Sequence, residues 1–483
     1  MKSYTLHILV ACLGLAIAAV SAAAQETLDR TKRPSPQGVP TIHLPAIQKA
    51  LLLNGLAVWL VEKHDLPLVT LNLVIQAGSD HDPMDKPGVA TMTAETMDAG
   101  TKMLDALQIS EKLNYIGATM MFRASVDGTT AMLSTLTKHL DEALRVFTDV
   151  ISNPTFPQRE FERLRKQRLT TLIQQKDRAA TIATLAFAHV LYGSGHPYGN
   201  DASGTEQSLT ALTRDDLQKF YSSYYRPNNA TLIVVGDVTM KDITALLDNG
   251  FAQWKDAPLP SITIPPAPAR GSRLVYLIDK PGAPQSEIRI GYPALARSTV
   301  DFFPVTVMNR LLGGQFSSRL NLNLREKHGY TYGARSAFSF NKHAGPFIAS
   351  SGVTSTKTDS SVHEFLYEID RMFKEGLTPE ELEFSKRGLT GNFALNFETP
   401  AQVAGSLVNL VLYGLPDNYY STYLSNINGV TLDDVKRVAA KYLDSSKMAI
   451  VIVGDVKMIK EGVERLKVGE TVMCNAEGNP LQQ

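Results

Sequence analysis

The ten histidines of this 483-residue chain are spread singly along the sequence. Two histidines four residues apart on a helix would face the same side and could bind zinc, with a nearby glutamate activating a metal-bound water. His363 and Glu364 begin such an H-E-x-x-H pattern, but Tyr367 stands where its second histidine would be. Neither H-E-x-x-H nor H-x-x-E-H occurs in the chain. The sequence therefore predicts that this chain holds no catalytic zinc by itself.

A second pair of residues could do chemistry without a metal of its own. Arg325 and Tyr332 stand seven residues apart in the run LREKHGYTY. A tyrosine hydroxyl can donate a hydrogen bond to a carbonyl oxygen as negative charge develops on it. An arginine can orient a carbonyl or carboxylate with its planar fork. On spacing alone, the pair also fits an ordinary helix-end arginine and a strand aromatic.

Composition limits the class of protein. Lys plus Arg and Asp plus Glu number 48 each, so no basic excess indicates binding to nucleic acid. Hydrophobic residues make up 44% and charged residues 20%, which is typical of a globular protein. A chain of this length is too long for one hydrophobic core, so at least two domains are expected.

An internal repeat organises the chain. Residues 215–238 and 433–456 both read as an acidic-capped helix followed by a β-rich run that ends in Val-Gly-Asp-Val, at a constant offset of 218. Further upstream, residues 140–151 and 362–373 both show apolar side chains at helical spacing. The two halves of the chain are therefore expected to share one topology.

Each half opens with two strand-like runs, and a proline-dense segment separates the halves. The runs are residues 56–61 and 69–77 in the first half, and 274–278 and 287–292 in the second. We predict an α+β fold of two duplicated domains, each a largely antiparallel sheet with helices packed on one face. The predicted boundaries are residues 40–255 for domain 1, 256–272 for a proline-rich linker, 273–465 for domain 2 and 466–483 for a polar tail.

The N-terminus is typical of a secretory signal. Residues 1–24 combine a basic start, an apolar run and small residues before Gln25, and we expect residues 25–39 to be an extension ahead of domain 1. No other segment is apolar enough to span a bilayer. We do not expect lipoprotein anchoring at Cys12. Cys474 would then be the one cysteine of the mature chain, and nothing in its context assigns it chemistry.

Several motifs together resemble the pitrilysin/insulinase family of zinc peptidases, and the resemblance covers nearly the whole mature chain. The block at 311–334, LLGGQFSSRLNLNLREKHGYTYGA, is the most specific of them. The others are Gly88-Val89-Ala90 through Gly100-Thr101, the paired Leu-Tyr-Gly segments at 191–193 and 412–414, His196-Pro197-Tyr198-Gly199, and the two Val-Gly-Asp-Val runs.

The zinc motif of that family is degenerate here. Active members carry an H-x-x-E-H helix, and its positions correspond to Thr91 for the first histidine, Ala94 for the glutamate and Glu95 for the second histidine. A shift of one residue would place Glu95 at the glutamate position but would still leave no histidine. The family's third ligand is a glutamate expected around residues 169–172, which read Leu-Thr-Thr-Leu; the nearest glutamate, Glu162, lies upstream.

The resemblance implies a role for the second half. Arginine and tyrosine at the positions of Arg325 and Tyr332 face the zinc from the opposite domain in family members and contact substrate near the scissile bond. The smaller members pair two such chains around a chamber that accepts unfolded peptides. The implied function is that of the non-zinc-binding subunit of a heterodimeric metallopeptidase. It would be inactive alone, would carry no cofactor itself, and would pair in the periplasm with a zinc-bearing H-x-x-E-H partner of similar size.

Two other functions remain open from the sequence. A non-enzymatic scaffold or assembly subunit of the same family would not need Arg325 and Tyr332. A zinc peptidase with an unrecognised site would need paired histidines, which the chain lacks.

Overall fold

The computed structural model describes residues 46–481. The predicted signal peptide (1–24) and extension (25–39) lie outside the described residues. The strands are β1 (Gln48–Leu51), β2 (Ala57–Glu62), β3 (Leu68–Ile75), β4 (Thr119–Ala124), β5 (Thr129–Leu136), β6 (Ala230–Gly236), β7 (Leu274–Asp279), β8 (Gln285–Leu295), β9 (Arg335–Phe338), β10 (Gly345–Thr354), β11 (Ala449–Gly454) and β12 (Glu470–Cys474).

Helices fill the connections between these strands. The helices of the first half are α1 (Val89–Thr96), α2 (Ala106–Tyr115), α3 (Leu140–Ser152), α4 (Gln158–Lys176), α5 (Ala179–Tyr192), α6 (Glu206–Ala211), α7 (Arg214–Tyr224) and α8 (Met240–Gly250). Those of the second half are α9 (Phe302–Leu312), α10 (Arg319–Asn321), α11 (Thr358–Glu375), α12 (Pro379–Gly391), α13 (Pro400–Tyr413), α14 (Tyr419–Gly429), α15 (Leu432–Tyr442) and α16 (Val456–Arg465). Helix α10 continues directly into a π-helical turn (Leu322–Lys327).

Two six-stranded sheets confirm the predicted α+β duplication. The first sheet has the order β1-β2-β6-β3-β5-β4, and the second has the order β12-β7-β11-β8-β10-β9. Five strands therefore match one to one, since β2, β3, β4, β5 and β6 correspond to β7, β8, β9, β10 and β11. Most neighbours are antiparallel, while β2 with β6, β7 with β11 and β12 with β7 are parallel.

The repeated helix cap explains the offset of 218 found in the sequence. Helix α7 begins after Thr213, whose hydroxyl accepts a hydrogen bond from Asp216 N. Helix α15 begins in the same way after Thr431, with Asp434. In both caps the aspartate side chain bonds back to the threonine N–H, which satisfies donors that the first helical turn leaves unpaired.

One helix from each half lies on the sheet of the other half. Helix α5 is apolar on nearly all sides and packs on β8 and β11, where the Phe187 ring lies against Gly291. Helix α13 packs in the same way on β3 and β6, with Leu412 against Gly128. The central strands β6 and β11 are consequently covered on both faces. That coverage explains why their sequences are continuously apolar instead of alternating.

The predicted polar tail at 466–483 needs a correction. Residues 470–474 form β12, which extends the second sheet by pairing with β7. Cys474, at its end, is buried beside helix α5. The open edge of β7 provides the backbone partners, so a short and only moderately apolar segment becomes a strand. Residues 256–272 contain neither helix nor strand, and no helix of the described chain is both long and apolar enough to cross a membrane.

Candidate functional site

Helix α1 carries the three degenerate zinc-motif positions. It starts after Gly88, which has a φ of 99° and whose added Cβ would lie 2.7 Å from Gly204 Cα. The Asp82 carboxylate accepts hydrogen bonds from Gly88 N and Ala90 N at 2.7 and 2.8 Å. Burial raises the pKa of Asp82 to about 7. The start of α1 is thus fixed by a glycine that no other residue could replace without strain and by a partly buried acid.

Each degenerate position has a structural contact in place of a metal. Thr91 Oγ1 donates a hydrogen bond to Ala202 O at 2.5 Å. Ala94 is fully buried and faces a cleft beside the helix. Glu95 forms an ion pair with Arg168 of helix α4.

The side chains around these positions form what we call the first cleft, with a volume of about 390 Å³. Its charged groups are Glu95, Asp98 and Arg168, so carboxylates outnumber guanidinium groups. Burial raises the pKa of Asp98 and lowers the pKa of Arg168. The cleft is lined by Ala94, Glu95 and Asp98 of the α1 region, Met120, Met121 and Phe122 of edge strand β4, and Leu164, Gln167, Arg168 and Thr171 of α4.

The donor set of the first cleft does not fit zinc. Zinc requires about four nitrogen, sulfur or oxygen ligands, whereas a guanidinium lies beside the single carboxylate at the motif position. Glu160 and Glu162 of α4 are engaged in ion pairs with Arg163 and Arg165 instead. Within residues 46–481, no group of three or more His, Cys, Asp or Glu side chains is arranged to hold a metal ion. We therefore derive no metal-dependent step on this chain.

Arg325 lies in the π-helical turn that follows α10. His328 N donates to Asn323 O, a bond of the wider i→i+5 type that is frequent at functional sites. Asn323 anchors the turn, because its Nδ2 donates to Glu364 and Glu368 of helix α11 at 2.8 Å each. The backbone at Arg325 is therefore held more specifically than that of an ordinary helix end.

The Arg325 guanidinium lies over the Phe316 ring, 4.6 Å from its centroid. Its Nε is 3.5 Å from the neighbouring Glu326 carboxylate. One face of the planar group is thus covered by an aromatic ring. Among the described residues, the terminal nitrogens of Arg325 make no hydrogen bond, so they are available to a planar acceptor such as a carboxylate.

Tyr332 is 89% exposed, although its backbone is fixed. The preceding Thr331 donates from Oγ1 to Gly352 O at 2.7 Å and forms a bridge to Val353. Tyr330 N donates to Leu324 O, which closes the loop onto the π-helical turn. A rigid backbone with a free side chain is the arrangement expected of a residue that contacts another molecule.

Arg325 and Tyr332 line one opening, which we call the second cleft and which has a volume of about 380 Å³. The fold therefore brings together Arg325 and Tyr332, the two residues that the sequence predicted to act as a pair. Gly313 has a packing role, since an added Cβ would lie 2.2 Å from Ser336 N. The remaining lining residues are Gly314, Gln315, Phe316, Asn321, Gly333, Ala334, Arg335 and Ser336.

Three residues of these clefts were not singled out from the sequence. Arg168 lies one residue before the stretch where a third metal ligand was expected, and the lack of a glutamate in that stretch was the available signal. Phe316 and Arg335 flank the Arg325–Tyr332 segment, but their contribution depends on the loop that folds them into one cleft. His196 belongs to one of the motifs that resemble the peptidase family, and its role here is structural. Its Nδ1 accepts a hydrogen bond from Tyr198 N, and burial lowers its pKa.

Two family models match the chain. One, described as insulinase (peptidase family M16), matches residues 57–192, and the other, described as the peptidase M16 inactive domain, matches residues 211–389. The chain belongs to peptidase family M16. The insulinase match covers the first cleft and the inactive-domain match covers the second, so the family assignment holds for both halves.

Related proteins align with more than four fifths of this chain and with more than nine tenths of their own length. A protein of Helicobacter pylori named non-peptidase homolog YmxG is 25% identical over 83% of this chain and 92% of its own length. Zinc protease PqqE of the same species is 26% identical over 85% of this chain and 93% of its own. The crystal structure of a peptidase M16 inactive domain from Pseudomonas fluorescens has a TM-score of 0.79 and 28% identity, covering 85% of this chain and 98% of that one.

Proposed function

We propose that this chain is the non-zinc-binding subunit of a two-chain M16 peptidase. It binds an unfolded peptide and contributes Arg325 and Tyr332 to the zinc site of an H-x-x-E-H partner of similar size. The observation that carries the proposal is the contrast between the clefts. In the first cleft, the Glu95 carboxylate forms an ion pair with Arg168 and is not placed as a metal ligand. In the second cleft, Arg325 has a fixed backbone and Tyr332 has an exposed side chain.

The two side chains would act on different parts of the reaction. The Tyr332 hydroxyl, with no partner among the described side chains, is free to donate a hydrogen bond to the oxygen on which negative charge develops. The stacked Arg325 fork would hold a substrate carbonyl or carboxylate in plane. Neither residue can cleave a peptide bond unaided, because neither provides a nucleophile or a metal-activated water.

The names of the relatives support this division of labour. One Helicobacter pylori relative is named a non-peptidase homolog and another a zinc protease, with nearly equal identity to this chain. Proteins of this architecture named with and without peptidase activity therefore coexist in one organism. We propose that this chain belongs to the non-peptidase type and works beside a chain of the other type.

The proposed site of action is the periplasm. The proposal rests on the signal-like residues 1–24 of the sequence. N-terminal sequencing of the protein from its native source should give Gln25 as the first residue, in the periplasmic fraction. A mature protein that retains residues 1–24, or one recovered from the cytoplasm, would contradict this part of the proposal.

Reconstitution tests the proposed function. The chain should first be purified from its source with associated proteins, to identify a co-purifying H-x-x-E-H chain. Each chain is then produced separately and assayed on a quenched fluorescent peptide, alone and mixed. The expected result is hydrolysis by the mixture and by neither chain alone, with zinc found in the partner. Hydrolysis by the isolated chain with about one bound zinc, or a stable complex without activity, would contradict the proposal; the second result would favour a scaffold.

A further inference from the structure

The second cleft has a strong charge bias. It contains the guanidinium groups of Arg325 and Arg335, and no aspartate or glutamate belongs to its lining. The neighbouring Glu326, outside the lining, has its carboxylate 3.5 Å from the Nε of Arg325. The first cleft has the opposite bias, with Glu95 and Asp98 against the single guanidinium of Arg168.

The backbone contacts on either side of Arg335 hold its side chain where it can contact another molecule. It is the first residue of β9, the edge strand of the second sheet, and it pairs there with Ser350 of β10. Its neighbour Ser336 is buried, donates from its Oγ to Asn309, and donates from its N to Gly313 O. Because side chains alternate along a strand, burial of Ser336 turns Arg335 outward. The Arg335 side chain makes no hydrogen bond or ion pair within residues 46–481.

A third donor lies in the same cleft. Gln315 Nε2 is buried and has no hydrogen-bond partner among the described residues. A buried amide without a partner costs free energy, which an incoming acceptor would recover. The second cleft therefore combines two guanidinium groups, one unpaired amide and the Tyr332 hydroxyl, all of which can donate hydrogen bonds.

We propose that the second cleft selects peptides that carry a carboxylate, and that Arg335 is the residue that determines this preference. The inference rests on the proposed function only in requiring that the cleft bind peptide. Arg325 engages the peptide near the scissile bond, and Arg335, on the edge strand beside it, pairs with the carboxylate. The carboxylate is either an Asp or Glu side chain or the C-terminus of the peptide.

Binding of matched labelled peptides to the full chain tests the proposal by fluorescence anisotropy. One extended neutral sequence is prepared with a central Gln, Glu or Lys and an amidated C-terminus, and again with central Gln and a free C-terminal carboxylate. We expect one carboxylate-bearing peptide to bind about fivefold more tightly than the neutral peptide at low salt, the scale of one partly exposed ion pair. The Lys peptide should bind most weakly, and the differences should shrink as salt is raised.

Variants assign the preference to Arg335. Arg335→Gln should bring the ratio of affinities for carboxylate-bearing and neutral peptides close to one, and Arg335→Lys should keep part of the discrimination. Arg123→Gln is the matched control, since Arg123 is an exposed arginine on the corresponding edge strand β4 of the first sheet. Thermal unfolding of each variant confirms folding.

The outcomes separate this proposal from the function on which it rests. Preference for the Glu peptide or for the free-acid peptide identifies the source of the carboxylate. Equal affinity for all four peptides, or discrimination that survives in Arg335→Gln, overturns the selectivity and leaves peptide binding intact. No binding of any peptide overturns both.

Discussion

The two halves of this chain share the order of five strands and a repeated Thr-x-x-Asp helix cap, yet their corresponding clefts differ in chemistry. The first cleft, between α1, α4 and β4, joins its helices by the Glu95–Arg168 ion pair. The second leaves Arg335 and Tyr332 exposed and Arg325 partly exposed. The duplicated fold determines where a cleft lies, whereas a few side chains decide what each cleft can do.

The same difference appears at the start of two corresponding helices. A carboxyl group lies at the N-terminus of α1 and of α9. Asp82 accepts only backbone N–H groups, and burial raises its pKa to about 7. Asp301 is almost fully buried, but hydrogen bonds from Lys441, Tyr442 and Arg437 outweigh desolvation and lower its pKa to about 2. Two acids near the starts of corresponding helices thus have pKa values shifted in opposite directions.

Removal of Arg325 should have the largest effect on the second cleft. In the reconstituted peptidase, we expect Arg325→Ala to lower kcat/KM by about 10³-fold, since the change deletes a charged fork that contacts both substrate and developing charge. Arg465→Ala is the control, because Arg465 is an exposed arginine at the end of α16. Equal kinetics of the two variants, in complexes that co-elute on gel filtration, would make Arg325 an ordinary helix-end residue.

The acid at the start of α9 should be a strong source of stability. Asp301 is 1% exposed and accepts hydrogen bonds of 2.7 to 2.8 Å from Arg437, Lys441 and Tyr442. We expect Asp301→Asn to lower the free energy of unfolding by about 2 kcal/mol near neutral pH. Because the pKa is lower when folded, this stabilisation is present above pH ~4 and is lost as pH falls towards 2. Urea unfolding at several pH values measures it, and a difference independent of pH would contradict the assignment.

The acid at the start of α1 should show the opposite pH dependence. The folded pKa of Asp82 is raised, so its contribution is greatest below pH ~4 and is lost as pH rises through about 7. Between pH 5 and 8, wild type should therefore lose stability relative to Asp82→Asn. Asp85→Asn, in the same loop but exposed, serves as the control. Asp85→Asn should lose stability as wild type does, whereas a loss that persists in Asp82→Asn would show that Asp82 is not the group responsible.

The Glu95–Arg168 pair should have the smallest effect, because both side chains are partly exposed. A double-mutant cycle with Glu95→Gln and Arg168→Met should give a coupling free energy of about 1 kcal/mol. The pair links α1 to α4, the two elements that a metal would join in an active relative. A coupling indistinguishable from zero would mean that the pair does not replace the metal as a link.

Much of the fold could be predicted from local sequence patterns. The alternating and helical periods located β2, β3, β7, β8, α3 and α11 to within a few residues, and the repeated Thr-x-x-Asp caps explain why the offset of 218 was detectable. Arg325 and Tyr332 could be selected because the block around them is continuous in sequence. The predictable features are those in which the interacting residues are close along the chain.

The rest depends on contacts between distant segments. Helix α5 is apolar on nearly all sides, so its pattern predicts burial but cannot specify the sheet of the other half as its partner. Strand β12 exists because β7 offers an open edge, which its own sequence does not indicate. Arg168 and Glu95 lie 73 positions apart in the sequence, and only the packing of α4 on α1 brings them together.

Hydrolysis by the reconstituted pair carrying Tyr332→Phe tests the central claim most directly. The change removes one hydroxyl from an 89% exposed residue, so folding and association should be unaffected. Tyr115→Phe, at a 90% exposed tyrosine that ends α2, is the matched control. We predict that Tyr332→Phe lowers turnover by about 10²–10³-fold with unchanged zinc content in the partner, while Tyr115→Phe keeps full activity. Full activity of Tyr332→Phe in an intact complex would contradict the claim that this chain contributes to its partner's active site.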